Sequence, residues 1–478
     1  MSTPRLSAQT LHTLRTGVAI PPYDRAAVAP GIVHFGPGAF MKAHLASFID
    51  SLLRADPRWG IAGVSLRTAG APAELEEQDF LYTLTELTQP ARHRVLGALC
   101  DVAAARALPR RALAHLMHPA ARLITVTVTE KGYGLDATGK LDVHQPDVAR
   151  DLASPPVPAS LVGWLTLALT NRRAAKLPLP IVMSCDNLAS NGPKLRQAVI
   201  DFARASGRND AAHWIEDEVR FPATMVDSIT PASDAALGAR VSHAIGATDL
   251  APVQREPFAQ WVIEDNLGRG APDLASVGAQ LTRDVHAYER AKLRLLNGTH
   301  SALAYIGLSR GHATVYEAMR DAELARFVER MMRDDIAPTL RAVNGLDIPD
   351  YISALLARLR NPAVAHRLSQ IAADGSQKLP YRFLEPIADL LKAGRPIDRL
   401  CVPVAAWMRF VYERRNEALD DPIASKLQAS ARSCTGDPAH DVGRFLLLTE
   451  IFPPALAQEP RIRAAITRAY DDLRNAII

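Results

Sequence analysis

The chain has 478 residues, 48% of them hydrophobic and 22% charged, and its formal net charge of +4 is spread along it rather than clustered. That length buries a sizeable core in two or three domains, and a chain without a basic stripe does not read as a nucleic-acid binder. The four cysteines, Cys100, Cys185, Cys401 and Cys434, include no CxxC pair, which argues against a disulfide framework or a zinc site.

Met1–Arg15 lacks the apolar segment of a secretory leader, and the longest apolar stretch, Leu161–Leu169, falls far short of a membrane span. The expectation is a cytoplasmic, monomeric protein with no bound metal, nucleic acid or membrane partner. After a turn-rich lead-in of about 30 residues, Gly31–Phe35 reads as a buried strand. Gly36-Pro37-Gly38 breaks it, and Ala39–Arg54 reads as a helix with Phe40, Ala43, Leu45, Phe48, Ile49 and Leu52 on one face. Trp59–Leu66, Arg122–Thr129 and Leu179–Ser184 are further strand candidates. Helical patterns lie between them at Ala73–Gln78, Arg111–Met117 and Leu161–Arg173. This alternation implies a parallel sheet covered on both faces. From about residue 285 long helical patterns take over: Tyr288–Arg310, His312–Met332, Tyr351–Leu359, Phe383–Ala393 and Val402–Tyr412. The fold class is therefore α/β, with a Rossmann-type parallel-sheet domain over 1–284 followed by a mostly α-helical domain over 285–478.

Strand, glycine turn and helix together form a pyrophosphate-binding device, because glycine permits close backbone approach and the helix end presents free N–H groups. Phe35, Gly36, Gly38, Ala39 and Phe40 are the candidates for that role. With Phe40-Met41 where a third glycine would stand, the pattern also fits an ordinary strand-to-helix turn. Arg67, near the end of the second strand, occupies the region that reads the ribose and its 2′-position, which leaves NAD(H) and NADP(H) both open.

The chemistry concentrates in Tyr288–His300, YERAKLRLLNGTH. On an ideal helix of about 100° per residue, Glu289, His300 and Asn297 fall about 60°, 80° and 140° from Lys292. Hydride transfer without a metal needs a base for the alcohol proton and donors for the developing alkoxide. A desolvated lysine with Asn and His beside it meets that need. The competing reading is a solvated helix face with i,i+3 pairs.

The segment KLRLLNGTHSALAYIG resembles the signature of the mannitol 2-dehydrogenase/fructuronate reductase family, the polyol-specific long-chain dehydrogenases. So do GIVHFGPGAFMKAH, WGIAGVSLR, VTEKGYG, SCDNLASNG, FPATMVDSITP, EPFAQWVIED and DGSQKLPYR, in order and at similar spacing. The resemblance implies a Rossmann-type domain followed by a helical one, and a metal-independent NAD(P)-dependent dehydrogenase that interconverts a polyol or sugar acid and its 2-keto form. It places the general base on Lys292, its oxygen-binding partners on Asn297 and His300, and a proton link to solvent on Glu289. It also places an amide of the oxyanion pocket on Asn187, with Asn191 the lesser candidate, and substrate contacts on Asp227 and Lys378. Mannitol 2-dehydrogenase leads, fructuronate reductase is the alternative, and tagaturonate reductase, arabinitol dehydrogenase and a non-catalytic nucleotide-binding protein follow. The chain departs from the family pattern at Met41-Lys42 after the turn, and at Gln370, where some mannitol-type members carry Arg.

Overall fold

Short runs of β-branched and aliphatic residues dictate the central sheet of the first unit. In chain order the strands are β1 (Ile32–Phe35), β2 (Ile61–Ser65), β3 (Tyr82–Glu86), β4 (Arg92–Leu96), β5 (Leu99–Ala104), β6 (Leu123–Val126), β7 (Ile181–Ser184), β8 (Thr224–Asp227), β9 (Val253–Arg255), β10 (Gln260–Glu264) and β11 (Gln280–Thr282). The computed structural model describes residues 3–66, 70–136, 138–153, 156–364 and 366–475. Its chain divides into two compact units, Met1–Val285 and His286–Ile478.

In the first unit a five-stranded sheet has the order β5-β2-β1-β6-β7, with every pairing parallel. The two-residue period of a strand sends alternate side chains to opposite faces. Ile32, Ile61, Leu99, Leu123 and Met183 join one core, while Val33, Phe35, Val64, Ile124 and Val126 join the other. Such a sheet, buried on both sides, reads as nearly continuous apolar runs, as the sequence does. Each fully buried Val, Ile or Phe contributes roughly 1.5–3 kcal/mol. The chain moves outward from β1 to β2 and β5, then returns to the other side of β1 at β6. Strand order therefore reverses between the carboxyl ends of β1 and β6, the position where open α/β sheets bind ligands.

The sequence reading lacks the edge strand β5, the antiparallel β3–β4 hairpin that β9 joins in parallel, and the small β11-β10-β8 sheet. Two expected helices are also interrupted. The one over 39–54 is split at His44 (φ −100, ψ −82) into Ala39–Ala43 and Leu45–Leu52. The one over 312–332 is split at Asp321, whose carboxylate accepts from the Glu323 and Leu324 amides and so starts a new helix, Ala322–Arg330.

The second unit is helical around one apolar core that includes Leu303, Ile306, Leu355, Phe383 and Trp407. Its long helix, expected as regular over 288–310, runs Val285–Ala291, Lys292–Asn297 and Gly298–Ser309, and the middle segment is a π-helix. Further π-turns occur at Met331–Ile336 and Pro380–Leu384.

One ionic group ties the first unit together from inside. Fully buried Arg172 donates to the carbonyls of Leu116 (2.7 Å), His118 (3.0 Å), Ala121 (2.8 Å) and Pro178 (2.7 Å). It closes the approaches to β6 and β7 with a planar fork that lysine cannot reproduce. Arg172→Met is expected to lower unfolding free energy by about 3 kcal/mol or more, because buried acceptors lose their donors. Urea denaturation of the two proteins measures the difference, and a loss under about 1 kcal/mol would contradict the structural role assigned to the arginine.

Candidate active site

The glycine turn of the first unit rests on a buried histidine. Gly36 adopts φ +88, and a Cβ there would strike the Thr127 carbonyl, so the position requires glycine on both counts. The Thr127 amide donates to the Phe35 carbonyl (2.8 Å) and the Thr127 hydroxyl to the Gly36 carbonyl (2.9 Å). His34, fully buried beneath the turn, has Nδ1 2.8 Å from Thr125 Oγ1 and Nε2 2.8 Å from Thr127 Oγ1. Because Thr127 spends its proton on Gly36, Nε2 is the donor to Thr127 and Nδ1 the acceptor from Thr125, which fixes the neutral tautomer. Burial pulls the His34 pKa down to about 3, against the opposing effect of the Gly36 carbonyl. Sequence reading did not single out His34 or Thr127.

Gly38 differs from Gly36. It is exposed, and the Cβ it lacks would meet nothing nearer than the Gly36 carbonyl at 3.9 Å. The missing side chain leaves an open approach to the backbone, as a pyrophosphate requires. Beside the turn lies an open cavity lined by residues that include Gly36, Ser65, Leu66, Val128, Gly132 and Ser160. Ala39 and Phe40 are half-buried at the start of the first helix. The Phe35 side chain belongs to the core, so only its backbone faces the turn. Arg67 lies outside the described residues. Lys42, at one of the positions departing from the family pattern, donates to the Ala251 carbonyl (2.9 Å), and burial pulls its ammonium down to about 8.

After β7, Asp186 accepts from the Val128 (2.9 Å) and Thr129 (3.0 Å) amides and from the Tyr133 hydroxyl (2.8 Å). It therefore shapes the 128–134 loop along the cavity. Its pKa is raised, chiefly by burial. Asn187 is exposed, whereas Asn191 is buried and structural: it donates to the Asp186 (3.1 Å) and Thr224 (3.0 Å) carbonyls and accepts from the Thr224 amide (2.9 Å). Those bonds anchor β8, which ends in buried Asp227.

In the second unit Glu289, Lys292, Asn297 and His300 occupy one helix. The sequence estimate of their angles assumed a uniform α-helix. The π-turn shifts the register, because its hydrogen bonds run i→i+5, and the Gly298 amide donates to the Leu293 carbonyl accordingly. Asn297, five residues after Lys292, is thus brought towards the face that Lys292 occupies. The solvated-face reading does not hold for the middle of this helix. Lys292 is only 6% exposed and Arg294 only 4%, and Gly298–Gly307 is buried on every side. Arg294 bonds Asp389 (2.7 Å) and the Thr339 carbonyl (3.2 Å). Glu289 remains partly exposed, its carboxylate 3.2 Å from His286.

His300 is 8% exposed. Its pKa is driven well below the ordinary value by burial first and then by His366, Arg358, Arg382 and Lys292, so it is neutral at physiological pH. The imidazole of His366 stands edge-on to it with ring centroids 5.3 Å apart. Lys378 Nζ donates to the Ala373 (2.5 Å) and Ile371 (3.3 Å) carbonyls, and its pKa is lowered mainly by burial. Arg382 Nη1, on the Pro380–Leu384 π-turn, donates to the Asn297 carbonyl (3.0 Å) and Ser301 Oγ (2.7 Å). Burial brings its guanidinium down to about 10. The DGSQKLPYR segment is thereby joined to the Lys292 helix. Gln370 is exposed. Among the described residues no cluster of His, Cys, Asp or Glu is arranged to hold a metal ion, and no helix is long and apolar enough to cross a membrane.

The family model for the mannitol dehydrogenase Rossmann domain matches residues 30–276, and that for the mannitol dehydrogenase C-terminal domain matches residues 284–474. Mannitol 2-dehydrogenase of Phaeosphaeria nodorum is 36% identical over 468 residues, covering 93% of this chain and 82% of the relative. D-mannonate oxidoreductase of Escherichia coli is 37% identical, covering 95% and 96%. The structure of Pseudomonas fluorescens mannitol 2-dehydrogenase, a ternary complex with NAD and D-mannitol, superposes with a TM-score of 0.83 at 36% identity, covering 99% of this chain and 97% of that one.

The neutral state of His34 has a consequence for acid stability. Its folded pKa of about 3 lies below the ordinary 6.5, so the unfolded chain binds the extra proton first. The His34 contribution is complete above about pH 6.5 and is lost as pH falls towards about 3, with a slope of up to about 1.4 kcal/mol per pH unit. His34→Asn, which does not titrate there, is expected to flatten the acid limb of stability measured by urea unfolding at a series of pH values. Parallel limbs for the two proteins would refute this.

Proposed function

The chain belongs to the mannitol dehydrogenase family and is an oxidoreductase, and we propose that it interconverts mannitol and fructose with NAD, Lys292 acting as general base without a metal. The observation that carries this reading is buried Lys292, set in a π-turn with Asn297 and His300 on the same helix. NAD, when bound, accepts or donates a hydride at its nicotinamide. Gly36 and Gly38, with the Ala39 and Phe40 backbone, suit its pyrophosphate, since the Cβ absent at Gly38 leaves room there.

In the oxidative direction Lys292 accepts the proton of the C2 hydroxyl. Asn297 and neutral His300 donate to the oxygen as negative charge develops on it, a role that preorganised donors in a dry site perform well. A neutral imidazole suits this task because it can donate to the oxygen without surrendering a proton. Glu289, partly exposed, returns the lysine's proton to solvent, and in reduction the protonated lysine supplies the proton instead. On the family resemblance, Asn187 gives a further amide to the oxygen, and Asp227 and Lys378 bind more distant hydroxyls.

A second reading, fructuronate to mannonate, draws on the cationic character around Lys378 and Arg382, whose hydrogen bonds are to carbonyls and a hydroxyl, and on the D-mannonate oxidoreductase relative. A carboxylate substrate would be well served there.

Nicotinamide absorbance, followed with fructose or fructuronate and with NADH or NADPH, tests these readings together. Wild type is expected to oxidise NADH with fructose. Lys292→Ala is expected to lose about 10²–10⁴ of kcat while its affinity for NADH, measured by fluorescence, stays the same. Near-wild-type turnover in the variant would remove the lysine from the mechanism. Faster turnover of fructuronate would select the second reading.

A further inference from the structure

His300 and His366 form a ring pair in which both members carry a buried nitrogen without a hydrogen-bond partner: Nε2 of His300 and Nδ1 of His366. Buried polar atoms are nearly always paired, because leaving one unpaired forfeits its solvation for nothing in return. Two such atoms on adjacent rings, beside the oxygen-binding residues, point to a ligand that supplies both partners.

The backbone holds His366 firmly. Its carbonyl accepts from the Val315 amide (3.0 Å) and its own amide donates to the Val364 carbonyl (2.9 Å), so the ring is presented by a fixed strut. The cations and imidazoles near the pair are His366 itself, Arg358, Arg382 and Lys292 around His300, and Lys378 beside His366. Burial first, and this surrounding positive potential after it, lowers the pKa of both rings and favours their neutral forms. A neutral imidazole nitrogen exchanges a hydrogen bond with a hydroxyl in either direction. It is less suited to a carboxylate, for which charged donors are stronger. Lys292 acts electrostatically on His300, and His366 stands against His300; a chain of adjacent hydroxyl-bearing carbons suits polar groups grouped in this way.

We propose that His366 is a specificity-determining residue that hydrogen-bonds, through Nδ1, the substrate hydroxyl next along the carbon chain from the oxygen held by His300. The role rests on the reading of Lys292, Asn297 and His300 as the oxygen-binding group. It also explains why two adjacent rings each carry an unpaired nitrogen: each serves a different oxygen of one polyhydroxylated substrate.

Two variants separate hydrogen bonding from packing. His366→Phe keeps a ring edge against His300 and removes Nδ1. His366→Asn removes the ring and restores a polar amide near the Nδ1 position. The phenylalanine variant is expected to raise KM for the polyol about tenfold, the loss of one hydrogen bond in a desolvated site, with kcat falling far less and dinucleotide affinity unchanged. The asparagine variant is expected to recover most of that loss. A phenylalanine variant with wild-type KM overturns the proposal, and so does an asparagine variant worse than phenylalanine, since both outcomes assign His366 to packing. Calorimetric titration of mannitol into the NADH-loaded proteins, a pairing with no hydride acceptor, gives the same comparison without turnover, and equal affinities there overturn it as well. Wild type that binds NADH yet neither binds nor converts any polyol or ketose would instead sink the oxidoreductase-site reading on which this role depends.

Discussion

On a regular α-helix Asn297, five residues after Lys292, would diverge from it by about 140°. The π-turn at Lys292–Asn297 relieves that constraint by lengthening the turn to the i→i+5 register. The altered register is sustained only because the helix is buried and fastened on its other sides. Arg294 reaches Asp389 and the Thr339 carbonyl, and Arg382, itself on a π-turn, donates to the Asn297 carbonyl. The second unit thus invests buried arginines, paired with acids or carbonyls, in holding an irregular helix that carries the candidate base.

The first unit solves a different problem with the same economy. Its sheet reverses strand order beside β1, so the carboxyl ends of β1 and β6 leave a gap that helices do not cover. Gly36 and Thr127 close the floor of that gap backbone to backbone, and His34 braces them from below through two threonine hydroxyls. Asp186 braces the side through the 128–134 loop. These groups rigidify a turn whose open element, Gly38, has no side chain to obstruct a ligand.

How much of this was legible in the sequence depended on whether the signal was local. The strand Gly31–Phe35, the glycine turn and the switch to helices near residue 285 carry their evidence in contiguous periodicity, and the structure has them. Strand β5, Leu99–Ala104, reads LCDVAA, and alanine, cysteine and aspartate give little strand propensity. It is a strand because the edge of the sheet accepts it. The π-turn left no trace either, since hydrogen-bond register is settled by what the helix packs against rather than by the spacing of apolar residues. His34 was invisible as a functional residue because its partners lie about ninety positions away, at Thr125 and Thr127. His366 was invisible for the same reason, since the fold alone sets it against His300. The family signature supplied Lys292, Asn297 and His300, but nothing in it distinguishes a polyol from a sugar acid.

His34, His300 and His366 show how the same residue type divides between structure and chemistry. All of them have depressed pKa values dominated by burial, so desolvation alone does not tell them apart. Hydrogen-bond completeness does. Both nitrogens of His34 are engaged within the fold, and the ring has no capacity left for a ligand. His300 and His366 each retain a buried nitrogen with none. Leaving each of those nitrogens unpaired costs about 1–3 kcal/mol. Their persistence beside Lys292 is accounted for when the missing partners are the oxygens of a bound substrate. On that argument the stability forgone in the free protein is recovered as binding energy at the carbon where the chemistry occurs.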